Sequence, residues 1–172
     1  MSDIVYSDRH GNIVTQHSKA MYKKGAFALI LFDGNVLMVK PSGPHDIWEL
    51  PGGGLDSGEW VDQGLKRELY EETGIALPDN LELKPVCKLL FHYYPDDVKQ
   101  FWNYNLNLFV LEFKLIPIVS ARNEIERVEW KPFSQLDSLL INFMHRTLIR
   151  NYQTQKDVPV KKSDYDDVLG YI

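Results

Sequence analysis

Cysteine is almost missing from this chain: among 172 residues, Cys87 stands alone. A lone cysteine excludes an internal disulfide and, by itself, a cysteine zinc cluster. It also fits a reducing compartment. Long apolar runs are missing as well, and nothing approaches the roughly 20 residues that a membrane-spanning helix needs. The opening MSDIVYSDRHGNIV has no basic start and no apolar core, so it does not read as a signal peptide. A cytoplasmic location and no membrane partner are therefore expected. An excess of positive charge is absent too, since the formal net charge is -5. A polybasic anchor or a general nucleic-acid coat needs a positive field, so no stable nucleic-acid partner is expected. An acidic chain can still handle a polyphosphate if metal ions supply the positive charge.

Within these limits the composition is ordinary for a soluble globular protein, 44% hydrophobic and 25% charged, and the length suits one domain with its own core. There is no internal repeat and no low-complexity segment. Residues 1–156 read as one domain, in which 1–20 form an N-terminal hairpin or arm. Residues 157–172 read as a polar tail, either docked or disordered. GAFALILF (Gly25 to Phe32) is a dense apolar strand, Asp33-Gly34-Asn35 a hairpin turn and Val36 to Lys40 its partner. Pro41 to His45 is a loop, and Ile47 to Leu50 a short strand stopped by Pro51 and three glycines. Residues 60–73 lack proline and have helical composition, with Gly74 where a C-terminal cap belongs. Strands follow over 83–94, 101–115 and 127–131, the first two separated by Pro95-Asp96-Asp97. Ser134 to about Gln153 reads as a terminal helix with Leu136, Leu139, Leu140, Phe143 and Met144 on one side. Strands on both sides of a central helix, with a second helix at the end, predict an α/β sandwich around a mixed sheet.

The central helix carries Glu68, Glu71 and Glu72 within five residues. A solvated acidic face is the bland explanation. At about 100° per residue, Lys66, Tyr70, Gln63, Thr73 and Asp62 share one side, while Val61, Leu65 and Leu69 make the inward stripe. The glutamates fall at the edge of that stripe, away from Lys66. Carboxylates crowded at the rim of a core repel each other and lose hydration, so something cationic must compensate. Hard oxygen ligands on neighbouring turns suit Mg²⁺ or Mn²⁺. Gly64 lies among them on the wheel. A mid-helix glycine costs up to about 1 kcal/mol, and close approach of the Gly52 to Gly54 backbone is the expected return.

From Gly53 the chain runs GGLDSGEWVDQGLKRELYEETGI, which resembles the Nudix box. Gly53, Glu59, Arg67, Glu68, Leu69, Glu71, Glu72, Gly74 and Ile75 occupy every defined position with both gaps kept. The preceding WELPGG and the order of elements extend the resemblance over residues 25–140. One departure is Gly64, where Nudix proteins often have alanine. The resemblance implies an α/β/α sandwich and a hydrolase that cuts a phosphoanhydride in a nucleoside diphosphate linked to a group X. It implies that Glu68, Glu71 and Glu72 bind Mg²⁺ or Mn²⁺ with the Gly53 carbonyl, and that Arg67 and Glu59 pair to orient the box. The general base is then a box glutamate or a later loop glutamate, Glu124 or Glu126. Glu124 is favoured because it lies further out in its loop.

The substrate is less legible. Nucleobases stack on aromatics in apolar pockets, and the chain offers Phe27, Trp48, Tyr93, Tyr94, Phe101, Trp102 and Tyr104; Tyr93 and Tyr94 are favoured because FHYYPDD runs into an exposed turn. Lys40, His45 and Arg122 are candidate phosphate contacts. Tyr93 lies 18 residues after Ile75, which resembles the mark of dinucleoside polyphosphate hydrolases; a nucleoside triphosphate is the other expected substrate. The ADP-ribose type has a proline where Leu90 stands, so that pattern is absent. An ADP-ribose pyrophosphatase, or a module that binds nucleotide without cutting it, are the alternatives. Many Nudix enzymes are dimers, and a homodimer stays open here.

Overall fold

The computed structural model describes residues 4–154; the polar tail expected over 157–172 lies outside the described residues. The chain forms β1 (Tyr6–Ser7), β2 (Ile13–Val14), β3 (Met21–Phe32), β4 (Asn35–Pro41), β5 (Gly52–Gly54), α1 (Val61–Thr73), β6 (Cys87–Tyr93), β7 (Trp102–Glu112), β8 (Ile125–Pro132), a 3₁₀ turn (Phe133–Ser138) and α2 (Phe143–Thr154). The strands make one mixed sheet in the order β2-β1-β6-β7-β3-β4-β8, with β5 attached to β3. The longest contact is parallel, Met21↔Trp102 through Leu31↔Glu112. The N-terminal hairpin is integrated in the sheet, since Ser7 pairs in parallel with Tyr93.

Alternation along β3 decides the layers. Ala26, Ala28 and Ile30 pack with Leu65 and Leu69 of α1 and with Ile75. Phe27 and Leu29 pack on the other face with Met144, Leu148 and Ile149 of α2. A sheet with a helix on each face is the α/β/α sandwich expected.

Three local expectations change. Ile47 to Leu50 is no strand but two isolated bridges, Val39↔Glu49 and Trp48↔Ile141. The strand lies in the glycines instead: Gly54, Gly53 and Gly52 pair antiparallel with Gly25, Ala26 and Phe27. They fit because a Cβ on Gly52 would lie 2.2 Å from the Ala26 carbonyl oxygen and 2.7 Å from the Phe27 Cα. Gly52 also has φ +131°, a conformation that other residues rarely adopt. We expect Gly52→Ala to destabilise by about 3 kcal/mol, read from denaturant unfolding, because both the backbone clash and the dihedral act against it. The third change is the terminal helix, which is broken. Residues 139–142 are not helical, because their backbone serves Trp48: Trp48 N–H donates to Leu140 O (2.9 Å) and Asn142 N–H to Trp48 O (3.0 Å). Leu140, expected on the apolar side, is 54% exposed in consequence.

Candidate active site

The last turn of α1 is closed by Gly74 at φ 78°, whose N–H donates to Tyr70 O at 3.1 Å. A loop then satisfies the remaining carbonyls. Ser120 N–H donates to Thr73 O (3.0 Å) and Arg122 N–H to Glu72 O (3.2 Å), and the Asn123 amide donates to Glu71 O (3.0 Å). Thr73 shares a side of the wheel with Lys66, Tyr70, Gln63 and Asp62. It is buried, because its hydroxyl is satisfied within the helix by Leu69 O at 2.6 Å.

Arg67 is the hub on the acidic side of α1. Nε donates to Glu59 Oε1 and NH2 to Glu59 Oε2, both at 2.9 Å. NH2 also donates to Gly54 O at 3.0 Å, and NH1 to Glu68 (2.8 Å) and Glu71 (3.2 Å). The guanidinium holds the Glu59 carboxyl below its ordinary value despite partial burial. Glu68 moves the other way, because burial outweighs its bond to Arg67 and the charges of Glu71 and Glu59 add to the burial. Glu72 is pushed up to about 8, first by burial and then by the charges of Glu68, Glu49 and Glu71, against one hydrogen bond from Gly52 N–H at 2.9 Å. Arg67 does not reach it. Gly53 lies against this group, since a Cβ there would meet the Glu68 carboxyl at 2.7 Å. The space at Gly64 is filled by Leu55 and Glu59 side chains, whose nearest atoms would lie 2.2 and 2.9 Å from an added Cβ, and not by the glycine strand as expected.

The donor set is all oxygen and short of positive charge around Glu72, which is the chemistry that a hard divalent cation completes. Among the described residues no three acidic, histidine or cysteine side chains gather round a single point. Arg67 instead holds Glu68 and Glu71, so a cation bound here would have to take over carboxylates that Arg67 now pairs with.

Other candidates scatter. Trp48 is 7% exposed, with the Lys131 ammonium 4.3 Å and the Arg127 guanidinium 5.3 Å from its ring. Tyr93, expected near an exposed turn, is buried beside Trp102, and its hydroxyl accepts from the Asn142 amide at 3.3 Å. Tyr94 is half-buried against Phe101 and His17. Lys40 pairs with Asp46 at 2.7 Å and lies 3.9 Å from Glu126. His45 faces Asp96 at 3.6 Å. Arg122 lies 4.9 Å over the Tyr70 ring. Glu124 is exposed, and its carbonyl accepts from Ser42 N–H at 2.7 Å.

Sequence reasoning missed a buried polar group beside Glu72. The Asn142 amide donates to Glu49 at 2.7 Å. His145 Nδ1 accepts from Leu50 N–H at 3.0 Å, and its Nε2 lies 3.8 Å from Glu49. Complete burial holds His145 below its ordinary value, so the ring is neutral. Glu49 sits inside WELPGG and could have been singled out there. Asn142 and His145 carry no local signal, because they reach Glu49 across more than ninety residues of sequence.

The sequence model of the NUDIX domain matches residues 21–152. The chain belongs to the Nudix family of hydrolases. Its curated Nudix relatives include an RNA pyrophosphohydrolase of Brucella anthropi, 30% identical over 116 residues, covering 60% of this chain and 67% of that one. Another RNA pyrophosphohydrolase, of Aeromonas hydrophila, is 49% identical over 47 residues, 27% of this chain and 26% of that one. Among solved structures, a bifunctional NMN adenylyltransferase/ADP ribose pyrophosphatase of Francisella tularensis, complexed with AMP and a manganese ion, superposes with TM-score 0.64 at 27% identity, over 81% of this chain and 43% of that one. A MutT protein of Methanosarcina mazei superposes with TM-score 0.65 at 18% identity, over 81% of this chain and 99% of that one, a likeness of fold. The Nudix match begins after the β1–β2 hairpin, whose strands lie in the same sheet. No helix among the described residues is long and apolar enough to cross a membrane.

Proposed function

We propose that this protein hydrolyses a phosphoanhydride bond in a nucleoside diphosphate linked to a further phosphate-bearing group, using Mg²⁺ or Mn²⁺. The observation that carries the reading is Glu72: a carboxyl at the core edge, beside three other glutamates and beyond the reach of Arg67, has no cationic partner among the described residues. Glu68, Glu71, Glu72 and the Gly53 carbonyl would hold the ion. When bound, it supplies charge neutralisation on the phosphates and lowers the pKa of a water.

The chain's own residues position these groups. Arg67 ties Glu59 and Gly54 of the preceding loop to α1, and so fixes the glycine strand against Glu68. Glu124 would take the proton from the attacking water. Its loop is fastened to the turn that carries Glu71 and Glu72, and its carboxylate stands in solvent where the proton can leave. Trp48, Tyr93 and Tyr94 would contact the base, and His45 and Lys40 the phosphates. The single domain would work in the cytoplasm.

A dinucleoside polyphosphate or nucleoside triphosphate is the first reading of the substrate. The 5′-triphosphate end of an RNA is the second, supported by the likeness to RNA pyrophosphohydrolases; it presents the same polyphosphate to the same carboxylates. A panel of diadenosine tetraphosphate, the nucleoside triphosphates, ADP-ribose and a short 5′-triphosphorylated RNA, assayed with Mg²⁺ and Mn²⁺ and with products identified by mass, tests the proposal. Calorimetric binding without release of any product would mark a binding module and sink it.

A further inference from the structure

Tyr104 lies near the start of β7, opposite Lys23 in the parallel register with β3. Its ring crosses diagonally over Gly25, where an added Cβ would stand 2.6 Å from the phenol oxygen. Gly25 pairs with Gly54 of β5, and a Cβ on Gly54 would stand 4.0 Å from the same oxygen. Two residues without side chains thus leave the space that this phenol fills. One residue along β5, an added Cβ on Gly53 would meet the Glu68 carboxyl at 2.7 Å. The phenol and the carboxylate flank the same three-residue strand.

Tyr104 is only 5% exposed, like the other buried tyrosines, Tyr6 and Tyr93. Those two hydroxyls are partnered, Tyr6 with Asn103 at 2.9 Å and Tyr93 with Asn142 at 3.3 Å. Among the described residues the Tyr104 hydroxyl has no such partner. Nor is its oxygen walled off: the buried polar atom that is both enclosed and unpartnered is the Trp130 indole nitrogen. The O–H therefore opens into the space beside Gly54. With no acceptor spent on it within the fold, the hydroxyl of this otherwise buried ring is free to donate to an acceptor that enters from outside. Burial, followed by the charges of Glu68 and Glu49, keeps the phenol protonated and hence a donor. The neighbouring Lys23 ammonium lies 5.4 Å over the Trp102 ring and has no carboxylate partner among the described residues. One face of the strand thus offers donors and the other carboxylates, an arrangement suited to an anion that shares a cation with those carboxylates.

We propose that Tyr104 is a catalytic residue whose phenol O–H donates a hydrogen bond to a phosphoryl oxygen of the bound nucleotide. The proposal rests on the hydrolase reading above and adds a donor from outside the glutamate helix. Its test is Tyr104→Phe, which keeps the ring over Gly25. Expected are a loss of about 10- to 100-fold in kcat/KM and a melting temperature equal to or above that of the parent, because the deleted hydroxyl bonds nothing in the fold. A lowered melting temperature with unchanged kinetics would make the hydroxyl structural and overturn the proposal. A second measurement titrates α,β-methylene ADP with Mg²⁺ into both proteins by calorimetry. About 10-fold weaker binding by the variant supports the phosphoryl contact, and equal affinity overturns it. If the parent cleaves nothing in the substrate panel, the hydrolase reading falls and the titration alone decides on Tyr104. If the parent also fails to bind the analogue, both readings fall.

Discussion

Glu72→Gln is expected to lower turnover by on the order of 10³-fold while making the metal-free protein more stable. The two effects have one origin. Glu72 is half-buried next to Glu68, Glu49 and Glu71, and among the described residues its carboxyl has a single hydrogen bond, from Gly52 N–H. Its charge is therefore costly in the fold and useful only when a cation stands beside it. Glutamine keeps the size of the side chain and, through its amide oxygen, the bond to Gly52. It removes the charge on which metal binding depends, and with it the neutralisation of the phosphates. Turnover is measured with saturating Mg²⁺ on whichever substrate the parent cleaves, and stability by thermal unfolding in EDTA. A variant that is both active and less stable than the parent would refute the assignment.

The same carboxyl gives the metal-free protein a pH signature. Its folded pKa of about 8 lies above the ordinary 4.5, so folding takes up a proton between those values. Stability is then greatest below about 4.5, as far as this group is concerned, and is lost as pH rises through about 8. Glu68, also raised by burial, adds a slope of the same sign. In EDTA the parent should lose melting temperature from pH 5 to pH 8 more steeply than Glu72→Gln. Curves of equal slope would mean that the carboxyl ionises freely in the fold. Mg²⁺ favours the ionised form, and its stabilising effect should grow over the same range.

How much of this was legible in the sequence follows from where the interactions lie. The Nudix box is local: helical spacing grouped Glu68, Glu71 and Glu72, and the resemblance to the box added the pairing of Arg67 with Glu59 in the loop before the helix. The sandwich was legible for the same reason, because Ala26, Ala28 and Ile30 alternate with Phe27 and Leu29 within a single strand. The three glycines were misread as a stop. Glycine has weak strand propensity, and the reason for it here, the Ala26 carbonyl 2.2 Å from where a Cβ would stand, belongs to another strand. The break in the terminal helix was invisible on the same ground. Leu139 to Asn142 keep an apolar pattern, but their backbone is claimed by Trp48, more than ninety residues earlier. Tyr93 was misplaced because FHYYPDD marks a turn correctly but does not say which way β6 turns its last side chain. The site is thus legible where its residues share an element and hidden where β3, β7 and α2 supply single side chains.

Arg67 should tolerate no replacement, lysine included. It makes five hydrogen bonds to four groups: two to Glu59 and one each to Gly54 O, Glu68 and Glu71. Only a planar guanidinium can bind both oxygens of Glu59 and still reach the other three. A lysine ammonium reaches one carboxylate and leaves the rest to repel each other. Arg67→Ala leaves Glu59, whose side chain is 14% exposed, without a cation. A loss of about 3 kcal/mol in stability is expected from the broken charged bonds, together with a fall in turnover of about 10²-fold as the glycine strand loosens from α1. Arg67→Lys should recover little of either. A double-mutant cycle separates this from a general effect of charge. Glu59→Gln alone is expected to weaken the same link, so adding it to Arg67→Ala should cost little more, with a coupling energy of about 1–3 kcal/mol. Strictly additive losses would mean that Arg67 acts through Gly54 O, Glu68 and Glu71 alone. The loop from Leu55 to Trp60 would then gain nothing from the contact of Arg67 with Glu59.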